Sequence, residues 1–190
     1  MGDARQGRQV SVHGFRRTAT GRIVLRVDVV EKGLLTTLLE QLVEFVTPEG
    51  AEDEDPLVSL VGLDPDAARP DDPALARLFP DAYLDDADSS AQFRRFTERS
   101  LRETKLAHAA TVLDTLRRSG EKVTLSADEA GAWLGALNDV RLALGTRLGV
   151  TEEGMAELAE LPDDDPRAAT FHVYDWLTYL QETLVRALMP

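Results

Sequence analysis

The chain has no cysteine among its 190 residues. Disulfides, thiolate metal ligands and thiol-based redox switches are therefore excluded. Histidine is nearly as scarce. His13, His108 and His172 lie far apart, with no His-x-x-x-His spacing, so a zinc site would need carboxylates for most of its ligands. No intrinsic metal or cofactor is expected. Met1, Met155 and Met189 are too few and too scattered to replace a thiol sensor. No apolar run approaches the roughly 18 residues of a membrane span, and Met1 to Arg17 holds no apolar signal-peptide core. The expected location is the cytoplasm. The phosphate-loop, dinucleotide-binding and nucleophile-elbow motifs are all missing. No residue stands out as catalytic, and the chain is expected not to be an enzyme. The one enzymatic alternative is carboxylate- and metal-dependent chemistry drawn from the acidic loops.

What the chain has in excess is negative charge, with a net of -13 at neutral pH. Such a surface repels nucleic acid, so tight nucleic-acid binding is not expected. The charge is unevenly placed. Residues 1–27 carry six arginines against Asp3, whereas residues 28–90 carry 17 acidic and three basic side chains. Residues 91–126 are basic again, with eight cations against four carboxylates, and residues 127–190 return to acid. Two basic islands thus sit in an acidic protein.

The hydrophobic share, 43%, fits one globular domain over 1–190 with a real core. Its N-terminal hairpin covers 9–28 and a helical body covers 29–190. In the hairpin Val10, Val12 and Phe15 precede a Thr20-Gly21 turn, and Ile23, Leu25 and Val27 follow it. A lone hairpin is marginal in water; Lys122-Val123-Thr124-Leu125 is a candidate third strand. Leu35, Leu38, Leu39, Leu42, Val43 and Val46 mark a helix from Val29 to about Thr47. Residues 49–73 form an acidic, proline-containing loop, interrupted by an apolar Leu57–Leu63 patch expected to dock on the core. Asp72-Pro73 opens a short helix. A long helix spans 89–119. Ser126 and Glu129 make a capping box for a helix ending at Gly149. A short helix follows to about Leu161, and Asp165-Pro166 starts the last one, which reaches about Leu188. The fold class is α+β, predominantly α: a small antiparallel sheet of two or three strands packed on a helical bundle.

Three groups of residues are candidates for partner binding. Arg94, Arg95, Arg99, Arg102 and Lys105 lie on one arc of the long helix, away from Phe93, Phe96 and Leu101. They form either a solvated face neutralised by the acidic loops or a docking site for an acidic partner or phosphate. Asn138 and Arg141 neighbour Gly145 at helical spacing, either as a polar recognition notch or as part of a helix packed closely at Gly135 and Gly145 with Arg141 in an ion pair. Trp176 and Tyr179, with His172, form a second apolar stripe on the last helix, suited to the core or to a homodimer face.

The segments Asp72-Pro73-Ala74-Leu75-Ala76-Arg77-Leu78-Phe79-Pro80, Leu137-Asn138-Asp139-Val140-Arg141-Leu142-Ala143-Leu144-Gly145-Thr146-Arg147-Leu148-Gly149 and Tyr174-Asp175-Trp176-Leu177-Thr178-Tyr179-Leu180-Gln181-Glu182 resemble an actinobacterial family classed as a domain of unknown function. The resemblance covers nearly the whole chain. Genes of that family lie near the Clp adaptor ClpS and cysteine-synthesis genes, and one branch, the AosR type, is named for regulating the oxidative-stress response. The resemblance implies a regulator acting through protein partners, in transcription or stress control; the alternative it suggests is an adaptor linked to Clp components. It carries no functional residues over to this chain. A cysteine-free member also departs from the disulfide mechanism most natural to an oxidant sensor.

Overall fold

A computed structural model of the chain describes residues 13–48, 69–83, 85–162 and 164–189. Three strands and six helices are defined among them: β1 (Arg16–Arg17), β2 (Ile23–Arg26), α1 (Val29–Val46), α2 (Pro73–Leu78), α3 (Ala87–Arg118), β3 (Lys122–Leu125), α4 (Ala127–Leu148), α5 (Met155–Ala159) and α6 (Pro166–Leu188). The predominantly helical α+β class read from the sequence holds. Val10 and Val12 of the expected hairpin, and the Leu57–Leu63 patch, lie outside the described residues.

Local chemistry sets the boundaries. Asp28 and Glu31 cap α1 reciprocally, Ser126 and Glu129 do the same for α4, and each box satisfies orphan N–H groups at a helix start. Asp72 and Asp165 cap helices whose first residue is proline, which lacks the N–H that would otherwise go unbonded. Gly149 ends α4 at φ +66°, in the left-handed region that glycine enters without a Cβ clash. The long helix begins at Ala87, two residues earlier than its expected start, because Asp86 accepts from the Ser89 N–H. Among the described residues Arg16 and Arg17 pair with β2, and the Thr18–Arg22 hydrogen bond closes the turn.

The sheet is antiparallel in the order β1-β2-β3, so Lys122–Leu125 is the third strand. Ile23 pairs with Leu125 and Leu25 with Val123. All four are buried and form the face that meets the helices. Phe15 completes this layer edge-on to Trp133, with ring centroids 5.4 Å apart. Trp133 is fully buried, and its indole N–H donates to Thr115 Oγ1 at 2.9 Å. Helix α4 is the centre of the molecule and contacts α1, α2, α3, α6 and β3. Leu177, Leu180 and Leu184 of α6 and Leu35, Leu39 and Leu42 of α1 fill the same core.

Candidate functional site

The basic arc on α3 is where structure and expectation part. Arg94, Glu98, Arg102 and Lys105 follow one another at spacings of four, four and three, a single helical stripe, and that stripe faces inward. Arg94 is 6% exposed. Its guanidinium donates to the Phe79 carbonyl at 3.1 Å, to Glu98 Oε2 at 2.8 Å and to Asp81 Oδ1 at 2.5 Å. Burial opposes its charge, but the hydrogen bonds to Glu98 and Asp81 outweigh that and raise its pKa above the usual guanidinium range. Arg102 bonds the other Glu98 oxygen at 2.5 Å and the Val46 carbonyl, the last residue of α1. Its guanidinium also lies 4.3 Å from the Phe79 ring centroid, within cation–π range. Lys105 reaches Asp139 Oδ1 of α4 at 2.6 Å. Three members of the arc, Arg94, Arg102 and Lys105, are therefore turned to partners inside the molecule. They form a buried polar seam that ties α1, α2 and α4 to α3. The arginines also part company: Arg95 is exposed, and Arg99 is half-buried.

The inversion has a consequence away from the stripe. Phe93 and Phe96 are 48% and 61% exposed, and Leu101, seven residues from Arg94, is 38% exposed at the stripe's edge. Phe93 packs edge-on to Tyr83, itself exposed, at 6.3 Å between centroids. Hydropathy alone assigns these rings to the interior. The signal that could have corrected it is Glu98, set four residues from both Arg94 and Arg102, which gives the stripe its own counter-charge.

Asn138 and Arg141 are brought together, against α6. Arg141 donates to Thr178 Oγ1 at 3.0 Å and to the Gln181 side chain, and Gln181 donates to Asn138 Oδ1 at 3.4 Å. The Tyr174 ring centroid lies 5.4 Å from the guanidinium. A Cβ on Gly145 would lie 3.1 Å from that ring, and one on Gly135 2.4 Å from the His108 imidazole. Asn138 and Arg141 thus pack against α6, and among the described residues Arg141 is held by the neutral Thr178 and Gln181 side chains rather than by the expected ion pair. Trp176 is half-buried against the core, whereas Tyr179 is 38% exposed.

Two further features complete the surface. A groove of about 400 Å³ runs between α1 and α4, lined by Leu38, Phe45, Leu144 and Arg147 among others, and Arg147 pairs with Asp72 at 2.6 Å. Among the described residues, no three His, Asp or Glu side chains converge as metal ligands, and no helix is long and apolar enough to cross a membrane.

Over 136 residues the chain is 41% identical to proteins named "Oxidative stress regulator AosR" from Mycobacterium tuberculosis and from Mycobacterium bovis, covering 65% of this chain and 61% of each relative. The match thus spans less than two thirds of their length. No solved structure matches. The family described as "Domain of unknown function (DUF2017)" matches residues 12–188, and the chain belongs to that family.

Proposed function

We propose that the protein is a non-catalytic regulator of the oxidative-stress response that works by binding other proteins, in the control of transcription. The observation that carries this reading is the exposed pair of Phe93, edge-on to Tyr83, and Phe96 three residues on, at the start of a helix whose charged stripe is held internally. Contiguous exposed apolar surface marks contact sites, and aromatic side chains anchor them. Likeness to relatives named as oxidative stress regulators supports the biological setting. Two of the carboxylates facing the core, Glu98 and Asp139, are held by arginine or lysine, which supports a structural rather than a catalytic use. Self-association through Trp176 and Tyr179 of α6 belongs to the same reading. Light scattering should then give twice the 20.9 kDa chain mass, and the single-chain value would count against the dimer.

The test is genetic and local. The gene is deleted in its own host, and either the wild type or a Phe93→Ser/Phe96→Ser double variant is returned. The wild type should restore the transcript response to peroxide, and the double variant, folded by circular dichroism, should not. Full restoration by the double variant would remove the patch from the function. An unchanged response in the deletion strain would remove the stress-regulator reading.

A further inference from the structure

We propose that the outer face of the sheet docks an acidic segment of a partner protein, with Arg16, Arg22, Arg26 and Lys122 as its cationic contacts. The proposal rests on the reading of this protein as one that acts by binding others, and it assigns a second, electrostatic surface to that role. Residues directly opposite in an antiparallel pair project from the same side. Since Ile23, Leu25, Val123 and Leu125 are buried on the inner side, the pairs Arg16–Val24 and Arg26–Lys122 belong to the outer side. Arg22 follows the hairpin turn at the same edge. All four cations are exposed. Among the described residues none of their side chains takes part in an ion pair or a hydrogen bond, unlike Arg94, Arg102, Lys105, Arg118 and Arg147, each of which holds a carboxylate.

The register makes this more than an accident of surface composition. Arg26 stands directly across from Lys122, and like charges at opposed positions weaken a strand pair. In a protein carrying a net charge of -13, carboxylates to relieve that repulsion are plentiful, yet among the described residues none pairs with either cation. A carboxylate arriving from outside would sit between the two cations and remove the repulsion. Beside this face, Val29 and Val30 at the start of α1 are 81% and 77% exposed, an apolar shoulder three or four residues beyond Arg26. Cations next to exposed valines suit a peptide in which acidic residues alternate with aliphatic ones.

A nucleic-acid backbone fits the face less well. Its continuous charge would also meet Asp28, Glu31 and Glu121, which flank the same cations in sequence, and the whole molecule repels it at long range. The outward residues between the cations are Val24 and Thr124, which offer no ring for a base to stack on. Spaced carboxylates on a peptide avoid both difficulties.

The experiment titrates the full chain with a short fluorescein-labelled peptide of Glu, Ser and Leu. Its Gln-for-Glu counterpart and a single-stranded oligodeoxynucleotide of equal length are run in parallel. The acidic peptide should bind saturably and weaken as salt rises, and the Gln peptide should not bind. Arg26→Glu/Lys122→Glu should weaken binding by at least about tenfold, and the neutral Arg26→Gln/Lys122→Gln pair, which leaves any folding defect easy to detect, should weaken it in the same direction. Arg77→Glu, an exposed cation on α2, should leave it unchanged. Amide resonances of β1, β2 and β3 should shift on titration. Absence of binding, equal binding by the double variants, or shifts confined to other elements would overturn the proposal. Tighter binding of the oligodeoxynucleotide would overturn it in favour of a nucleic-acid surface, and concentration-dependent self-association abolished by the same variants would overturn it in favour of a second copy. Loss of this binding with an intact peroxide response would leave the regulator reading standing.

Discussion

Two sets of cations in this acidic protein have opposite fates. On α3, Arg94, Arg102 and Lys105 turn inward and each finds a carboxylate within 2.8 Å. On the sheet, Arg16, Arg22, Arg26 and Lys122 face outward and hold none among the described residues. Composition does not distinguish the two sets; geometry does. A helical stripe at spacings of three and four can enclose its own Glu98 and meet Asp81 and Asp139 from neighbouring elements. A short strand alternates faces, so its cations are lifted away from the core that its leucines and isoleucine enter. Charge that is internal holds the fold together, and charge left outside is available to a partner.

The largest break in this comparison should come from Arg94→Met. It leaves Glu98 and Asp81 without their shared cation in a buried seam, a loss of about 3 kcal/mol or more on the scale of disrupted buried pairs. Urea unfolding measures it. Arg26→Met on the sheet should change stability by less than about 0.5 kcal/mol, as surface substitutions do. If the two variants unfold at the same denaturant concentration, the seam does not hold α3 in place.

Acid should weaken the molecule through its caps. Glu129 is held below its usual 4.5 by the Ser126 N–H and by Arg118. Asp165 is lowered from 3.8 to about 2 by the Arg167 guanidinium and N–H. A carboxylate with a depressed folded pKa contributes stability above its unfolded pKa and loses it as pH falls through the folded value. The melting temperature should therefore drop steadily from about pH 4.5 towards 2, and Glu129→Gln/Asp165→Asn should flatten that slope. Arg26 and Lys122 variants should leave the acid slope unchanged, because neither residue bonds these caps.

The smallest effect should sharpen the comparison most. Lys122→Glu replaces a like-charge pair with an opposite one across β2 and β3, and it should raise stability by roughly 0.2–1 kcal/mol while weakening the acidic peptide. A stabilised protein that binds less well separates docking from folding. If Lys122→Glu destabilises, Arg26 and Lys122 do not face each other as the register places them.

Much of this architecture was legible in the sequence because its signals are local. Capping boxes, Pro at the first helical position, Gly149 and the alternation of Ile23 and Leu25 each act over a few residues, and the elements they mark fall within two residues of expectation. The Lys122–Leu125 strand was legible for the same reason. The face of α3 was not, because hydropathy ranks Phe93 and Phe96 above Arg94 and Glu98 regardless of partners. What reverses the ranking is long-range: the Phe79 carbonyl and Asp81 at the end of α2, the Val46 carbonyl closing α1, and Asp139 on α4. The Asn138–Arg141 notch posed the same difficulty. Its spacing was visible, but the Thr178 and Gln181 side chains that fill it come from a helix some 40 residues away.

The most direct test of the contrast between the two sets is the rate at which each arginine of the native protein reacts with phenylglyoxal, read residue by residue by mass spectrometry. Arg16, Arg22 and Arg26 should react quickly, and Arg94 and Arg102 only after unfolding. Native-state modification of Arg94 as fast as that of Arg26 would contradict the account.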